Sequence, residues 1–522
     1  MSEIPDQNSN SSQPIFTGNA PSGSSSYAQT LGVEAPPDPS KQVFQEPSSS
    51  GDSPLPPPPF EEDNKKKYII FGLFGLLFLF IVFLIISFLS SRFKGKTSSG
   101  PVTITYWGLW TEKEVMQLLI DDYQKTHPNV IINYQLQDKK LYKERLTAAI
   151  DRNEGPDIFR FHNGWGVMIA SYLAPVPKTV YSDADFDANF YPVVKEDVNR
   201  GGNYYGIPLS IDGLVMFYND DMLKSGNIPV PTTWGADFEG AAQKLTVREE
   251  DKIVTSGAAL GLADNIDHFS DILSLMMLQN GTKVSESLLR CYSNQSGKEE
   301  LLQSTTCGSD TLSYYHKFTE NPNSVWNDVF ESSLTSFASG KVAIIFAPSW
   351  EALNIKALNP NLNFKVAKVP QLVCVEDPCS DVYLASYWLE GVSKNSKNQA
   401  EAFDFLKYLT SRDVLQKKYE AEARLRKLFG DAPARRDMAD TVGTNEYLKP
   451  LISEAPDMKS SLFVSRTIDG ESGINARLEK YLKDAVNALN KGVGADTAIQ
   501  PVDNGLHQVL DGYKAASAAT NK

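Results

Sequence analysis

Histidine and cysteine are scarce in this chain of 522 residues, with five of the first and four of the second. His127, His162, His268, His316 and His507 stand singly, without the H-x-x-x-H or H-E-x-x-H spacing that puts two imidazoles on one helix face. No metal site is expected. A G-x-S-x-G elbow, a P-loop and a G-x-G-x-x-G turn are also missing, which removes the usual signatures of hydrolases, nucleotide-using enzymes and dinucleotide oxidoreductases. Scattered Asp and Glu remain, but such pairs are too common to indicate a glycosidase. The expectation is a protein that is not an enzyme and holds no cofactor. Excess positive charge is lacking as well: 50 Lys and Arg against 64 Asp and Glu give a net charge of −14. Sequence-independent binding of nucleic acid needs a clustered basic surface, so nucleic acid is excluded as a partner.

What is present is a long chain with ordinary globular composition, 41% hydrophobic and 22% charged, enough for two or three structural units. Residues 1–64 are the exception. They are rich in Ser, Pro, Gln and Asn, contain no Trp or Cys, and run into Pro56, Pro57, Pro58 and Pro59; they read as a disordered tail. Residues 68–89 are uncharged and almost wholly apolar, 22 positions at about 1.5 Å each, enough for a hydrocarbon core of ~30 Å. A single transmembrane helix is expected there, too long and too far from the start for a cleavable signal. Lys65, Lys66 and Lys67 on one side balance Arg92, Lys94 and Lys96 on the other, so the flanks do not set orientation. The cysteines do. Cys291 with Cys307, and Cys374 with Cys379, are close in sequence and suggest two local disulfides, with four reduced buried thiols as the alternative. Disulfides place the C-terminal part outside the cytoplasm and the tail inside, in a single-pass protein of the cell membrane.

Beyond a linker at 90–101, strands and helices alternate. Strands are read at 102–107, 130–135 and 157–161, and helices at 112–126 and 140–153, the second stopped by Gly155 and Pro156. This β-α-β-α-β order predicts an α/β fold with a parallel sheet whose ligands meet the carboxyl ends of the strands.

Several ordered segments carry a resemblance. Tyr106, Trp107 and Gly108 end the first strand; Tyr123 leads through Pro128 to Val130; then come Gly155, Pro156 and Asp157, and Tyr205, Gly206, Ile207 and Pro208. Phe337, Gly340 and Ala343 are followed by Ala347, Pro348, Ser349 and Trp350, and later by Trp388, Ser393, Lys394 and Asn395. Together they resemble the extracellular solute-binding protein family typified by maltose-binding protein, across nearly all of 102–522. The resemblance implies a two-lobed periplasmic-binding fold with hinge-connected lobes. Lobe one would be about 102–211 plus 362–410, and lobe two about 212–361 plus 411–522, with crossings near Ser210 to Gly213, Asn359 to Pro360 and Ser411 to Arg412. It also implies a receptor that captures a sugar or oligosaccharide and delivers it to the permease subunits of an ABC importer. A membrane-anchored sensor for a sugar or polyamine, signalling through a partner, is the alternative.

A sugar site needs flat aromatic platforms for C–H faces and carboxylates or amides for hydroxyls. By resemblance, Trp350 is the stacking aromatic, Asp212 the carboxylate at the first crossing, Trp388 a cleft-lining aromatic and Arg435 a closing residue. By position after the first and third strands, Trp107, Trp110, Asn163 and Trp165 are further candidates, with His162 behind them. Asp157 is expected to cap its loop.

Overall fold

The computed structural model describes residues 100–295, 298–373 and 380–520. The tail at 1–64, the apolar run 68–89, nearly all of the linker, and Cys374 and Cys379 lie outside the described residues. Among the described residues, no helix is long and apolar enough to cross a membrane.

Alternation of side chains builds the first sheet. In β1 (Val102–Gly108), Ile104 and Tyr106 turn into the core while Thr103 faces out. Helix α1 (Lys113–Thr126) covers it with Val115, Met116, Leu119, Ile120 and Tyr123, spaced to share one face. Strand β2 (Val130–Leu136) lies parallel to β1, Val102 opposite Val130. Helix α2 (Tyr142–Asp151) leads to β3 (Ile158–His162), buried along its whole length and parallel to β1. The β-α-β-α-β order read from the sequence is therefore present.

The second sheet is formed by β4 (Leu214–Asn219), β5 (Val247–Glu249), β6 (Lys252–Ala258), β7 (Val342–Pro348) and β8 (Phe364–Ala367), in the order β8-β4-β7-β6-β5. Helix α3 (Phe269–Gln279) and helix α4 (Glu351–Leu358) belong to this half of the molecule. Both β4 and β7 are buried throughout, as central strands covered on two faces must be. Strand β9 (Trp388–Val392) then returns to the first sheet, antiparallel to β3 with Trp388 opposite His162, giving the order β9-β3-β1-β2. Helix α5 (Arg412–Arg426) follows, and helix α6 (Ile474–Leu489) lies near the C-terminus.

The division between lobes differs from the expected one in two places. Residues 364–367, expected in lobe one, pair with β4 from Phe364 opposite Asn219 to Ala367 opposite Met216, and so belong to the second sheet. Helix α5, expected in lobe two, sits on lobe one because its cations meet acidic groups there. Lys417 Nζ is 2.9 Å from Asp122, and Arg426 Nε donates to Glu112 at 2.8 Å. The second crossing thus falls between Ala367 and Trp388, and the third after Arg426, rather than at Asn359 to Pro360 and Ser411 to Arg412. The three crossings run side by side: Ile211 N–H donates to the Ala432 carbonyl and Ser386 N–H to the Asp212 carbonyl, each at 2.9 Å. Gly213 is needed where they touch, since a Cβ there would stand 2.2 Å from the Leu384 carbonyl oxygen.

A disulfide joins Cys291, on the hairpin strand Ser287–Gln295, to Cys307 at the start of the helix Cys307–His316, with 5.7 Å between their Cα atoms. The first of the two expected bridges is present; the second falls outside the described residues.

Candidate ligand-binding cleft

Where the crossings meet, a cavity of about 820 Å³ opens between the lobes. The ends of β3, β7 and β9 and the turn after β1 all deliver residues to it. That is where a parallel sheet presents its functional loops.

Three of the predicted tryptophans reach this cavity. Trp388, at the start of β9, lies edge to face with Trp110 at 5.9 Å and with His162 at 5.1 Å between ring centroids. Trp110 is 44% exposed and sits on a left-handed backbone (φ 69°), a conformation that costs a residue with a Cβ roughly 1 kcal/mol. Arg466 and Ile468, which line the opposite wall, are also left-handed, at 55° and 59°. Strain gathered on cleft-lining residues marks a site held in a set geometry. Trp350 ends the turn after β7 and starts α4, with the Arg466 guanidinium 6.0 Å from its ring centroid and His268 edge-on at 6.1 Å.

Asp212 lies at the base of the cleft, where its Oδ1 accepts from the N–H groups of Gly213 at 2.7 Å and Ser349 at 3.1 Å. Burial pushes its carboxyl up to about 7, against the pull of those bonds. His162 is the reverse case. Its Nδ1 accepts from Gly164 N–H at 3.1 Å and its Nε2 lies 3.1 Å from Ser386 Oγ, while burial pushes the imidazole down to about 3, so it is neutral.

Most charges on the walls are paired, while Lys139 Nζ lies 6.0 Å from the Trp110 ring centroid. Arg426 bonds Glu112 at 2.8 Å and Asp431 at 2.6 Å, and Lys418 bonds Glu422 at 2.6 Å and Asp431 at 3.1 Å. Arg160 and Glu390 form a buried pair at 2.6 Å beneath the cleft. Among the described residues, no group of three or more His, Cys, Asp and Glu is arranged to hold a metal ion.

Four predicted residues do not line the cavity. Trp107 lies on the strand itself, half-buried against the core rather than at the turn beyond it. Trp165 is fully buried behind Trp388, 5.6 Å away edge to face, so it supports that ring from below. Asn163 points away, donating to Ser460 Oγ at 2.9 Å and Asp197 at 3.2 Å on the border of a second cavity of about 630 Å³. Arg435 donates to Asp437 at 2.7 Å and to the Thr410 carbonyl at 3.2 Å, because its counter-ion stands two residues away. Asp157 accepts from Thr105 N–H at 2.9 Å and from Ser396 Oγ, tying its loop to the sheet.

The sequence reading missed His268, Asp271, Ser386, Tyr387 and Arg466, all of which line the cavity. His268 and Asp271, three apart at the start of α3, were a recoverable signal of a paired histidine. Arg466 comes from far along the chain and had none.

Comparison with known proteins agrees with this architecture. The family model of bacterial extracellular solute-binding proteins matches residues 107–416. A maltotriose-binding protein of Pyrococcus abyssi is 28% identical over 126 residues, which is 24% of this chain and only about a quarter (27%) of that relative. A putative binding protein of Brucella abortus is 20% identical over 301 residues, 56% of this chain and 67% of its own. Among solved structures, the sugar-binding protein MalE of Xanthomonas citri superposes with a TM-score of 0.62 at 19% identity, covering 80% of this chain and 99% of that one. The GacH receptor of Streptomyces glaucescens gives 0.58 at 21%, covering 78% and 98%. With two sheets, three crossings and an interlobe cleft in place, and the family model matching well over half the chain, this protein belongs to the bacterial extracellular solute-binding protein family.

Proposed function

We propose that this protein is a membrane-anchored, extracytoplasmic receptor that captures a sugar or oligosaccharide between its lobes and delivers it to an ABC importer. One observation carries the reading: Trp110, Trp350 and Trp388 converge with Asp212 on a single interlobe cavity of about 820 Å³. Indole faces pack against the C–H faces of pyranose rings, and the Asp212 carboxyl meets ring hydroxyls as acceptor or, when protonated, as donor. A cavity of this size accepts a small oligosaccharide. Closure of the lobes about the three crossings is the hinge motion that sequesters it. Solved relatives of the same fold support the class of ligand: the GacH receptor was crystallised with acarbose, and others with maltotetraose, cycloalternan and mannobiose. The extracytoplasmic side follows from the family and from the Cys291 to Cys307 disulfide, which persists in an oxidising compartment. The apolar run at 68–89 supports the anchor.

The test is a thermal-shift screen of the full chain in detergent against monosaccharides, oligosaccharides, polyamines and amino acids. A ligand at a hundred times its Kd stabilises the native state by about 2.7 kcal/mol and raises the melting temperature. One carbohydrate class should shift it. A shift with amino acids or polyamines alone would overturn the sugar assignment.

A further inference from the structure

His268 is a buried cleft group that the sugar-binding reading leaves without a role. It is 2% exposed, yet carboxylates face both of its ring nitrogens. Nδ1 stands 3.2 Å from Asp271 Oδ2 and 3.0 Å from Ser465 Oγ, and Nε2 stands 3.2 Å from Glu351 Oε1. A neutral imidazole has one donor and one acceptor nitrogen, so it satisfies only one carboxylate; the imidazolium satisfies both. Arg466 completes the cluster, donating to Glu351 at 3.0 Å and to Asp267 at 2.8 Å. Farther out, Glu479 on α6, whose carboxyl burial and the charge of Asp271 push up to about 7, shares the field with Asp469 and Lys483. Burial works against a charged ring here, but the bonds and charges of Asp271 and Glu351 outweigh it and raise His268 to about 9.

The cluster surrounds Trp350. Glu351 follows it directly in sequence and binds both cations, one edge-on to the indole and one over its face. We propose that His268 is a positioning and specificity-determining residue of this cleft: its buried imidazolium locks Glu351 and Arg466 about Trp350, orienting the stacking ring and turning the site against cationic solutes. The proposal rests on the cleft being the ligand site. Its selectivity follows from charge matching. The cleft carboxylates Glu112, Asp271 and Asp431 each have a cationic partner, and a guanidinium already lies over the indole face that would attract an ammonium. Among the described cleft residues only the Asp212 carboxyl lacks a cation, and it is itself partly protonated near neutral pH. A neutral polyol needs none of these charges free.

The experiment uses the full chain in detergent, labelled with 15N in its five histidines. The His268 resonance is identified by its loss in His268→Gln. It should titrate near pH 9; titration near 6.5 would overturn the proposal. Calorimetry with the solute that best raises the melting temperature then compares pH 8, where Asp212 is already largely ionised, with pH 10. Affinity of the wild type should fall about tenfold, and His268→Gln should be about tenfold weaker at pH 8 and flat between pH 8 and pH 10. Unchanged affinity in the variant would overturn the positioning role, and spermidine binding as tightly as the best sugar would overturn the selectivity. If the best solute is neutral but not a sugar, the same pH pair tests His268 while the sugar reading alone falls. Should His268→Gln not fold, Arg466→Gln, at a side chain 42% exposed, removes the other cation beside Trp350 and should weaken binding in the same direction; unchanged affinity in it would overturn the proposal.

Discussion

Trp350 and Asp212 do different work and fail differently when replaced. Trp350 is half-buried at a cleft wall, so Trp350→Ala removes a stacking face without opening the core. Binding of the sugar should weaken about tenfold, about 1.4 kcal/mol, with the melting temperature of the free protein nearly unchanged, as calorimetry and a thermal melt would show. A collapse in melting temperature would mean that the ring is a structural element. Asp212 is tested through pH. Its carboxyl ordinarily titrates at 3.8 and burial raises it to about 7. Between those values the folded chain holds a proton that the unfolded chain has released, so the stability this group gives below 3.8 is lost progressively as pH rises to 7 and stays lost above it. Asp212→Asn removes that slope. Relative to wild type, the variant should gain more melting temperature at pH 8.5 than at pH 5.5; the opposite ranking would show that the carboxylate, not the acid, is the stabilising form.

At the scale of the element, the hairpin carrying Cys291 is pinned to the following helix across a 16-residue separation. Closing a loop of that length stabilises a fold by about 3 kcal/mol, so replacing Cys291 and Cys307 together by Ala should lower the unfolding free energy by about that amount and move the denaturation midpoint down. An unchanged midpoint would mean the packing of this hairpin alone suffices. The elements also show what the sequence could and could not reveal. Strands β1 to β3 and their helices were legible because local alternation and the Gly155–Pro156 stop fix them without reference to distant residues. Strand β8 was not legible as to partner: its Phe364 and Val366 face inward in the same pattern whichever sheet they join, and only pairing with β4, about 145 positions earlier, decides. Trp110 and Trp107 were indistinguishable for a related reason. The left-handed turn that swings Trp110 into the cleft is set by tertiary contacts, while Trp107 stays on the strand. Asn163 and Trp165 were misplaced because the single turn after β3, residues Asn163–Trp165, folds both side chains inward.

For the whole molecule, the proposed capture of ligand depends on two lobes moving about three crossings that are hydrogen-bonded to one another. Gly213 is the tightest point of that junction, with the Leu384 carbonyl where a Cβ would go. Gly213→Ala should therefore spread the crossings and weaken sugar binding even though residue 213 faces no ligand. Small-angle scattering gives the check: sugar should shrink the radius of gyration of the wild type and change that of the variant less. Equal compaction in both would show that the junction tolerates the methyl group. The same architecture also supplies an optical reporter. Trp388 stands within 6 Å of both Trp110 and Trp165, two rings of one set open to the cleft and the third sealed behind them. Indoles this close couple their transitions, so the near-ultraviolet circular dichroism of the unlabelled protein should carry a couplet from this trio, and anything seated against Trp388 and Trp110 would change its shape in real time.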